Sequence, residues 1–251
     1  MTFRFTAPLA GILALALGAT AMAADVPASI TAALADAGRP ATDTSRDAAR
    51  HPGELLAFAG VKPGDKVGDF IMGGGYFTRI FARTVGEGGK VYAYQPKEFI
   101  QFNGQYQKSL DAVAAAYPNV TPLNNSLGAV SFPEPLDVIF TAQNYHDLHL
   151  GFIPAPALAA IDKAIFNSLK PGGVLIVVDH SAIDGTGDTR SKALHRIDIA
   201  TVKAEMTAAG FVLEGESEIL RNPADPRTAS VFDPAIKGQT DQFVLKFRKP
   251  A

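Results

Sequence analysis

Cysteine is absent from the 251-residue chain. Its absence excludes disulfide bonds, thiolate metal ligands and a cysteine nucleophile, and it suits folding in an oxidising compartment, where thiols can pair wrongly. The sequence also has no G-x-S-x-G motif, which argues against a serine hydrolase. No run of basic residues occurs, and 23 Lys and Arg stand against 25 Asp and Glu. This charge balance argues against nucleic acid as the main partner.

Long apolar runs are missing except at the N terminus. There, Arg4 precedes an apolar stretch from Ala7 to about Ala19, and Ala21-Met22-Ala23 has the small-x-small pattern of a cleavage site. These are the parts of a secretory signal peptide. A membrane anchor is the alternative, but a spanning helix needs about 20 strongly apolar residues. We predict a signal peptide over residues 1–23, a periplasmic location, and no membrane contact after cleavage.

The remaining sequence alternates between apolar strands and amphipathic helices. Predicted strands cover 66–72, 90–94, 120–124, 136–142 and 173–178, and predicted helices cover 51–60, 74–85, 96–116, 156–169 and 197–209. This alternation indicates a doubly wound α/β sheet. The last two strands, in FVLEGESEIL and DQFVLKFRKP, have no helix between them and should pair antiparallel. We predict an α/β fold with a mostly parallel, seven-stranded Rossmann-like sheet over residues 61–251, ending in an antiparallel strand pair and preceded by a helical segment over 24–60.

Three glycines in VGDFIMGGGYFTRIFART, residues 67–84, separate the first predicted strand from the following helix. Gly73 and Gly75 would let a ligand approach the backbone, and the helix start offers free N–H groups. Ligands of such sheets bind beyond the carboxyl ends of the strands, where the strand order reverses. A plain turn is the alternative. A nicotinamide site is disfavoured because Thr78 stands where G-x-G-x-x-G needs a glycine.

The segment PGDKVGDF-x-x-GGGYFTRIFARTVGEGGKVYAYQP resembles the first two strands of class I S-adenosylmethionine-dependent methyltransferases, and AIFNSLKPGGVLIVVDH resembles their fourth helix and fifth strand. More narrowly, the chain resembles a group of exported bacterial proteins predicted to be methyltransferases. Five segments carry that likeness: RDAARHPGELLAFAGVKPGDKV, NYHDLH, DHSAIDGTG, LHRID and TDQFVLKFRKP. The resemblance covers nearly all of the mature chain, and it implies S-adenosylmethionine as the cofactor.

The resemblance also implies which residues contact that cofactor. They lie in the first strand, the glycine loop, the end of the second strand and the loops after the third and fourth strands: Asp69, Gly73, Gly74, Gly75, Tyr76, Gln95, Asn125 and Asn144. The pattern departs from the family in three places. Ile71 replaces the first glycine, Gln95 replaces the acid that binds the ribose, and Asn124 or Asn125 replaces the acid or amide after the third strand. Exchanging a carboxylate for Gln95 would weaken binding by about 1–2 kcal/mol, or roughly tenfold.

Polar residues that follow the fourth and fifth strands are the candidates for chemistry. Methyl transfer to oxygen or nitrogen needs an in-line approach and removal of a proton. We predict His146 as the base, with Asp147 or Asp179 orienting its imidazole. The predicted substrate contacts are Tyr145, His149, His180 and His195.

Structural roles are the alternatives for the same residues. His146 and His149 could bond to backbone groups at a helix start, and Asp147 could cap one. The segment His195-Arg196-x-Asp198 could be an ion-paired helix start, or a lid that uses the glycine-rich IDGTGDT as its hinge.

A metal site is a further interpretation of the same segments. His146, His149, Asp179 and His180 carry the donor atoms that a divalent ion such as zinc accepts. A bound metal is nevertheless not the prediction, because donors at such an edge often contact substrate instead.

Two functions remain open from the sequence. The first is S-adenosylmethionine-dependent methylation of a small molecule, which the polar groups of NYHDLH and DH favour. The second is an exported, non-catalytic ligand-binding or accessory protein that keeps the fold. This second function is favoured by Ile71, by Gln95 and by export away from the compartment that makes S-adenosylmethionine. The sequence predicts no oligomeric state.

Overall fold

A computed structural model describes residues 25–151, 153 and 155–251, so the predicted signal peptide lies outside the described residues. The sheet contains seven strands in the order β3-β2-β1-β4-β5-β7-β6. Their bounds are β1 (Lys66–Phe70), β2 (Lys90–Tyr94), β3 (Val120–Leu123), β4 (Leu136–Ala142), β5 (Leu169–His180), β6 (Val212–Ser217) and β7 (Gln242–Arg248). Strands β1 to β5 pair in parallel, and β7 pairs antiparallel with both β5 and β6. The predicted fold class is confirmed.

Ten α-helices accompany the strands within the described residues. They are α1 (Ala28–Leu34), α2 (Ala41–Thr44), α3 (Asp47–Arg50), α4 (Pro52–Ala59), α5 (Tyr76–Val85), α6 (Lys97–Phe102), α7 (Gln105–Ala116), α8 (Ala155–Ser168), α9 (Ser191–Leu194) and α10 (Ile199–Ala209). None of the helices in this part of the chain has the length and apolar character that crossing a membrane requires.

The single helix predicted over residues 96–116 is wrong, because the structure divides it into α6 and α7. Asn103 is extended, and its side-chain oxygen accepts a hydrogen bond from the backbone N–H of Gln105. Such a bond gives the backbone an alternative to the helical ladder. The helix predicted from Gly74 begins two residues later, at Tyr76, because Gly75 precedes it with a φ of 79°.

Apolar side chains pack on both faces of the sheet. Along β5, Ile176 and Val178 belong to the core under α1, α4 and α5, whereas Leu175 and Val177 belong to the core under α8 and α10. A strand that is buried on both faces has a continuous apolar sequence, as GVLIVV does. Apolar side chains therefore cover both faces of the sheet, and the polar residues lie at its carboxyl edge.

The N-terminal helical segment packs beside the first loop of that edge. Helix α1 lies against α5, and Asp36 forms an ion pair with Arg83 over 2.8 Å. Further along the segment, Asp43 forms an ion pair with Arg79 over 2.9 Å. Residues 25–60 therefore form one side of the space next to the glycine loop.

Candidate active site

The loop between β1 and α5 holds three residues in the left-handed backbone region. Ile71 has a φ of 62°, Gly73 of 59° and Gly75 of 79°. A β-branched residue rarely adopts this region. The positive φ of Ile71 therefore indicates that contacts around the loop impose its conformation. The backbone N–H groups of Ile71 and Met72 both donate to the Tyr94 carbonyl, at 2.9 and 3.1 Å. The backbone of Ile71 thus has a conformation that normally favours glycine.

The loop is open at its centre and tightly packed at its end. A Cβ atom built on Gly73 or Gly74 would meet no atom within 4 Å, whereas one on Gly75 would lie 2.5 Å from Val113 Cγ2. Gly75 is therefore required by packing as well as by its backbone angle. Gly73 and Gly74 leave room for a ligand to reach the backbone.

Gln95, at the end of β2, lies directly beside this loop. Its side chain is fully buried, and its Oε1 accepts a hydrogen bond of 2.9 Å from the backbone N–H of Gly73. Because the Gly73 N–H needs an acceptor, the amide nitrogen of Gln95 must point elsewhere, and Nε2 has no partner among the residues that the structure describes. A buried donor without a partner costs about 1–3 kcal/mol. Gln95 therefore has a buried, unused donor beside the glycine loop.

Asp69 and Asn144 join neighbouring segments at this edge. Asp69 accepts a 2.5 Å hydrogen bond from Thr78 Oγ1, and burial raises the pKa of Asp69 to about 6 against the opposing effects of Thr78 and of the Arg50 charge. Asn144 donates from Nδ2 to the carbonyls of Ile71 and Ala142, at 2.8 and 2.7 Å. These bonds fix the end of β1 to α5 and to the loop after β4.

The other two residues that the resemblance places at the cofactor lie differently. Tyr76 donates its hydroxyl to Asp47 Oδ1 over 2.6 Å, so it faces the N-terminal segment. Asn125 is exposed, and its side-chain amide lies 3.5 Å from Ser131 Oγ. The structure brings Gly73, Gln95 and Asn144 around one loop, and it leaves Asn125 at the surface.

A second group of polar residues surrounds His146, in the 3₁₀ helix Tyr145–His149 after β4. Asp179, at the end of β5, is fully buried and binds His146 twice. Its Oδ2 accepts the backbone N–H of His146 and its Oδ1 lies 2.7 Å from Nδ1 of the ring. The ring Nδ1 therefore carries hydrogen, and Nε2 points away from Asp179.

Two side chains lie near Nε2 of His146, on the side of the ring that faces away from Asp179. His195 Nδ1 lies 3.1 Å from it and Asp147 Oδ1 lies 3.2 Å from it. His195 Nδ1 and Asp147 Oδ1 are themselves 3.4 Å apart. We call His146, Asp147 and His195 the His–Asp–His cluster.

Charge is unevenly distributed around this cluster. Burial lowers the pKa of His146, but the charge of Asp179 and the bonds to Asp147 and Asp179 outweigh burial and raise the pKa to about 10. Burial and the charge of His146 lower the pKa of His195. His146 therefore carries the positive charge at neutral pH, and an imidazolium cannot act as a base until its Nε2 proton has been lost or displaced.

His180 contacts a different partner. Its Nδ1 lies 2.7 Å from Thr240 Oγ1, and burial lowers the pKa of His180 to about 4. It is therefore neutral, 6.0 Å from His146 between ring centroids.

Tyr145 and His149 point away from the cluster, towards the helices on that face. The Tyr145 hydroxyl lies 2.8 Å from Glu205 and 3.1 Å from Asp162, in a fully buried position. His149 Nε2 lies 3.3 Å from the same Glu205 carboxylate, and its Nδ1 lies 3.4 Å from Asp188. The side chains of Tyr145 and His149 therefore do not join those of Asp147, Asp179 and His195 around His146.

The carboxylates beside Tyr145 make stability depend on pH. Burial and the nearby charge of Glu205 raise the pKa of Asp162 to about 7, although Tyr145 and His149 oppose this. A raised carboxyl pKa adds stability below the unfolded value near 4, and this stability is lost as pH rises through 7.

Asp162→Asn removes the titration, so its melting temperature relative to the wild type should be at least about 2–4 °C higher at pH 8 than at pH 5. Both proteins are melted in the same buffers, so other titrations cancel. A difference that does not change with pH would contradict the raised pKa.

His195 is held by the segment that surrounds it. It ends α9 with a φ of 54°, and its ring packs against Phe232 with 4.7 Å between centroids. The next residue, Arg196, is fully buried and forms a bidentate ion pair with Asp225, at 2.8 and 3.2 Å. Arg196 Nε also donates to the Ala229 carbonyl. The long loop over residues 221–240 is thereby tied to the His195 segment.

The ion pair thus differs from the one considered from the sequence. Arg196 pairs with Asp225 of the long loop, and Asp198 instead caps α10 by accepting the N–H of Ala200 at 2.9 Å. The carboxylate of Asp198 also accepts the N–H of Gly185, which closes the IDGTGDT segment around it.

Sequence reasoning missed Arg50, at the end of α3. Its guanidinium lies 4.4 Å from the ring centroid of Tyr76 and donates to Gln143 Oε1 over 2.7 Å. Burial lowers the pKa of Arg50 to about 10, so it keeps its charge at neutral pH. No local pattern marks Arg50, because only the docking of residues 25–60 brings it to the sheet edge.

Comparisons with known proteins show what fold this is. No protein-family model matches the chain, and no curated protein sequence matches it. A SAM-dependent methyltransferase from Aquifex aeolicus superposes with a TM-score of 0.55 and 20% identity, over 78% of this chain and 88% of that one. The [4+2]-cyclase SpnF gives 0.58 and 16%, over 81% of each chain. A possible exported protein from Bordetella parapertussis gives 0.51 and 15%, over 82% of this chain and 68% of that one. The chain has the Rossmann-like fold of S-adenosylmethionine-dependent methyltransferases.

Proposed function

We propose that the protein binds S-adenosylmethionine at residues 71–75 and directs its methyl group to a small-molecule acceptor. The observation that carries this proposal is the open loop at Gly73 and Gly74. It follows β1, which lies between β2 and β4, and this is the point where the strand order reverses. Calorimetric titration of the folded protein with S-adenosylmethionine tests the proposal, and we expect a dissociation constant of about 100 µM or lower.

The residues around the loop fit this cofactor in part. Backbone groups of Gly73 and Gly74 can be reached. The unpaired Nε2 of Gln95 is buried beside the loop, so it would donate to a ribose oxygen where the loop or the side chain shifts on binding. Arg50, beside Gln143 and Tyr76, offers a cation for the carboxylate of the methionine portion. Bound there, S-adenosylmethionine supplies an electrophilic methyl group.

On the acceptor side we propose His146 as the catalytic residue. Its Nε2 lies between Asp147 and His195, whose side chains are 17% and 27% exposed, so a small molecule can reach this side. As an imidazolium, His146 would bind and orient an acceptor oxygen or nitrogen. It would remove a proton only after giving up its own. Asp179 is the positioning residue that fixes the ring.

Gln95→Glu tests the ribose contact. The variant keeps one oxygen for the Gly73 N–H and replaces the unpaired Nε2 by an acceptor for ribose hydroxyls. We expect S-adenosylmethionine to bind roughly tenfold more tightly, a gain of about 1–2 kcal/mol. Titration calorimetry measures it, with Gln105→Glu on the exposed start of α7 as the control of equal charge. Unchanged or weaker binding by Gln95→Glu alone would place the ribose elsewhere.

We also propose that residues 1–23 direct export to the periplasm. The signal-like sequence supports this, and a structural neighbour is described as a possible exported protein. Expression of the full chain in a Gram-negative host should give a periplasmic form whose N-terminal sequence starts at Ala24. A cytoplasmic form with its N terminus intact would contradict export.

A non-catalytic binding protein is the second candidate. Gln95 is already bonded to Gly73, and Asp47 already holds Tyr76, so both loop residues have partners without a cofactor. A neighbour with this fold is described as a [4+2]-cyclase, so the fold alone does not fix the reaction. This candidate predicts no response to S-adenosylmethionine.

A further inference from the structure

The His–Asp–His cluster brings three metal-binding atoms to one point. They are Nε2 of His146, Oδ1 of Asp147 and Nδ1 of His195, separated by 3.1, 3.2 and 3.4 Å. An ion about 2.1 Å from each of three ligands at tetrahedral or octahedral angles places those ligands roughly 3.0–3.4 Å apart. The three atoms thus already have the spacing of a coordination face.

The hydrogen-bond partners of His146 determine which of its nitrogen atoms can face an ion. Nδ1 of His146 carries hydrogen because it faces Asp179 Oδ1 at 2.7 Å. When an ion displaces the Nε2 proton of His146, and His195 carries its hydrogen on Nε2, three lone pairs face the centre of the cluster. One proton on Nε2 of His146 has to serve both Asp147 and His195, whereas a cation at the centre is shared by all three.

The surroundings hold each ligand in place. Asp179 accepts hydrogen bonds from both the ring and the backbone N–H of His146, which is the outer carboxylate that metal-binding histidines usually have. His195 is fixed by its left-handed backbone, by the Phe232 ring and by the buried Arg196 next to it. The ligands are therefore organised before any ion binds.

We propose that His146, Asp147 and His195 bind one divalent transition-metal ion of the zinc class. Two imidazoles and one carboxylate suit such an ion, and Asp147 with Asp179 balances its charge of +2. The partial exposure of Asp147 and His195 leaves the outer coordination positions open. These positions take water or an oxygen of a substrate. With the ion bound, Nε2 of His146 is a ligand, so the ion replaces the imidazolium as the group that orients the acceptor, and this role rests on the proposed methyl transfer.

This ligand set differs from the one considered from the sequence. Asp179 lies behind His146 as its outer partner, His149 contacts Asp188 and Glu205, and His180 contacts Thr240. Only His146 belongs to both sets. His195, which the sequence places nearly 50 residues away, is the ligand that spacing along the chain did not reveal.

Titration of the metal-free protein with Zn²⁺ tests the site, without S-adenosylmethionine present. We expect one ion per chain, and a visible absorption band when Co²⁺ is used in its place. Asp147→Asn and His195→Asn should each weaken binding at least tenfold, and Asp179→Asn should weaken it about 10- to 100-fold. Asparagine is chosen at position 195 because it tolerates a positive φ. His51→Asn, at an exposed histidine with the same backbone conformation, should bind as the wild type does.

Two outcomes would overturn the site. One is the absence of stoichiometric binding by folded wild-type protein, and the other is full binding by both Asp147→Asn and His195→Asn. Because the cofactor is not in the experiment, the result is separate from the proposed methyl transfer. A protein that binds Zn²⁺ but no S-adenosylmethionine would keep the metal site and lose the proposed function.

Discussion

Replacing His146 by alanine is expected to lower turnover about 10²- to 10⁴-fold while changing the dissociation constant of S-adenosylmethionine less than about threefold. His146 contacts Asp147, Asp179 and His195, and these residues lie on the side that we propose for the acceptor. The glycine loop over residues 71–75, where we propose that the cofactor binds, is held separately by Gln95 and Asn144. Loss of the imidazole should therefore affect the reaction and leave the loop intact.

Release of S-adenosylhomocysteine measures turnover, with the small-molecule acceptor that a screen identifies, and calorimetry measures cofactor affinity. His146→Gln is the companion variant, because it keeps a polar side chain in a site that is 97% buried (3% exposed) and so guards against misfolding. His51→Asn is the control for loss of a histidine. An equal loss of turnover and cofactor affinity in both His146 variants would remove His146 from the proposed catalytic role.

Replacing Arg196 by methionine is expected to lower the free energy of unfolding by about 3–5 kcal/mol. The substitution keeps much of the side-chain volume but leaves the buried Asp225 carboxylate without its cation, which is the costly way to break a buried ion pair. It also removes the bonds to the Ser181 and Ala229 carbonyls. Denaturant unfolding measures the change, and trypsin should cut the loop over residues 221–240 faster than in the wild type.

Two further variants control this prediction. Asp225→Asn combined with Arg196→Met removes the unpaired charge and should recover part of the loss. Arg190→Met, at an exposed position, should change stability by less than about 0.5 kcal/mol. If Arg196→Met unfolded as Arg190→Met does, the loop would not depend on the buried ion pair.

Most of the fold is predictable because it depends on periodicity. The alternation of strands and helices, the continuous apolar run GVLIVV within β5 and the missing helix between β6 and β7 each follow from short-range pattern. The break between α6 and α7 was missed because Asn103 acts through a side-chain bond, which periodicity does not register. Docking of residues 25–60 was also not predictable, since it depends on ion pairs such as Asp43 with Arg79 across long sequence separations.

The candidate site was predictable to the extent that topology determines it. Parallel strands bring their carboxyl ends to one edge, which places His146, after β4, against Asp179, at the end of β5. Side-chain direction was not predictable. In the 3₁₀ helix after β4, neighbouring residues point to different sides, so Tyr145 reaches Glu205 while His146 reaches Asp179.

His195 shows the same limit. From the sequence, LHRID is compatible with an ion-paired helix start or with a lid, and the actual partner of Arg196 is Asp225, in a loop with no regular pattern. That contact brings His195 to His146 and so completes a cluster that the sequence alone does not indicate.

The central claim is that the loop over residues 71–75 still binds S-adenosylmethionine, and titration calorimetry tests it most directly. The purified, folded protein is titrated with S-adenosylmethionine and, separately, with S-adenosylhomocysteine. We predict dissociation constants of about 100 µM or lower for both, which corresponds to roughly −5.5 kcal/mol or stronger. If neither compound binds, the claim is contradicted, and the result favours the exported binding protein that keeps only the methyltransferase fold.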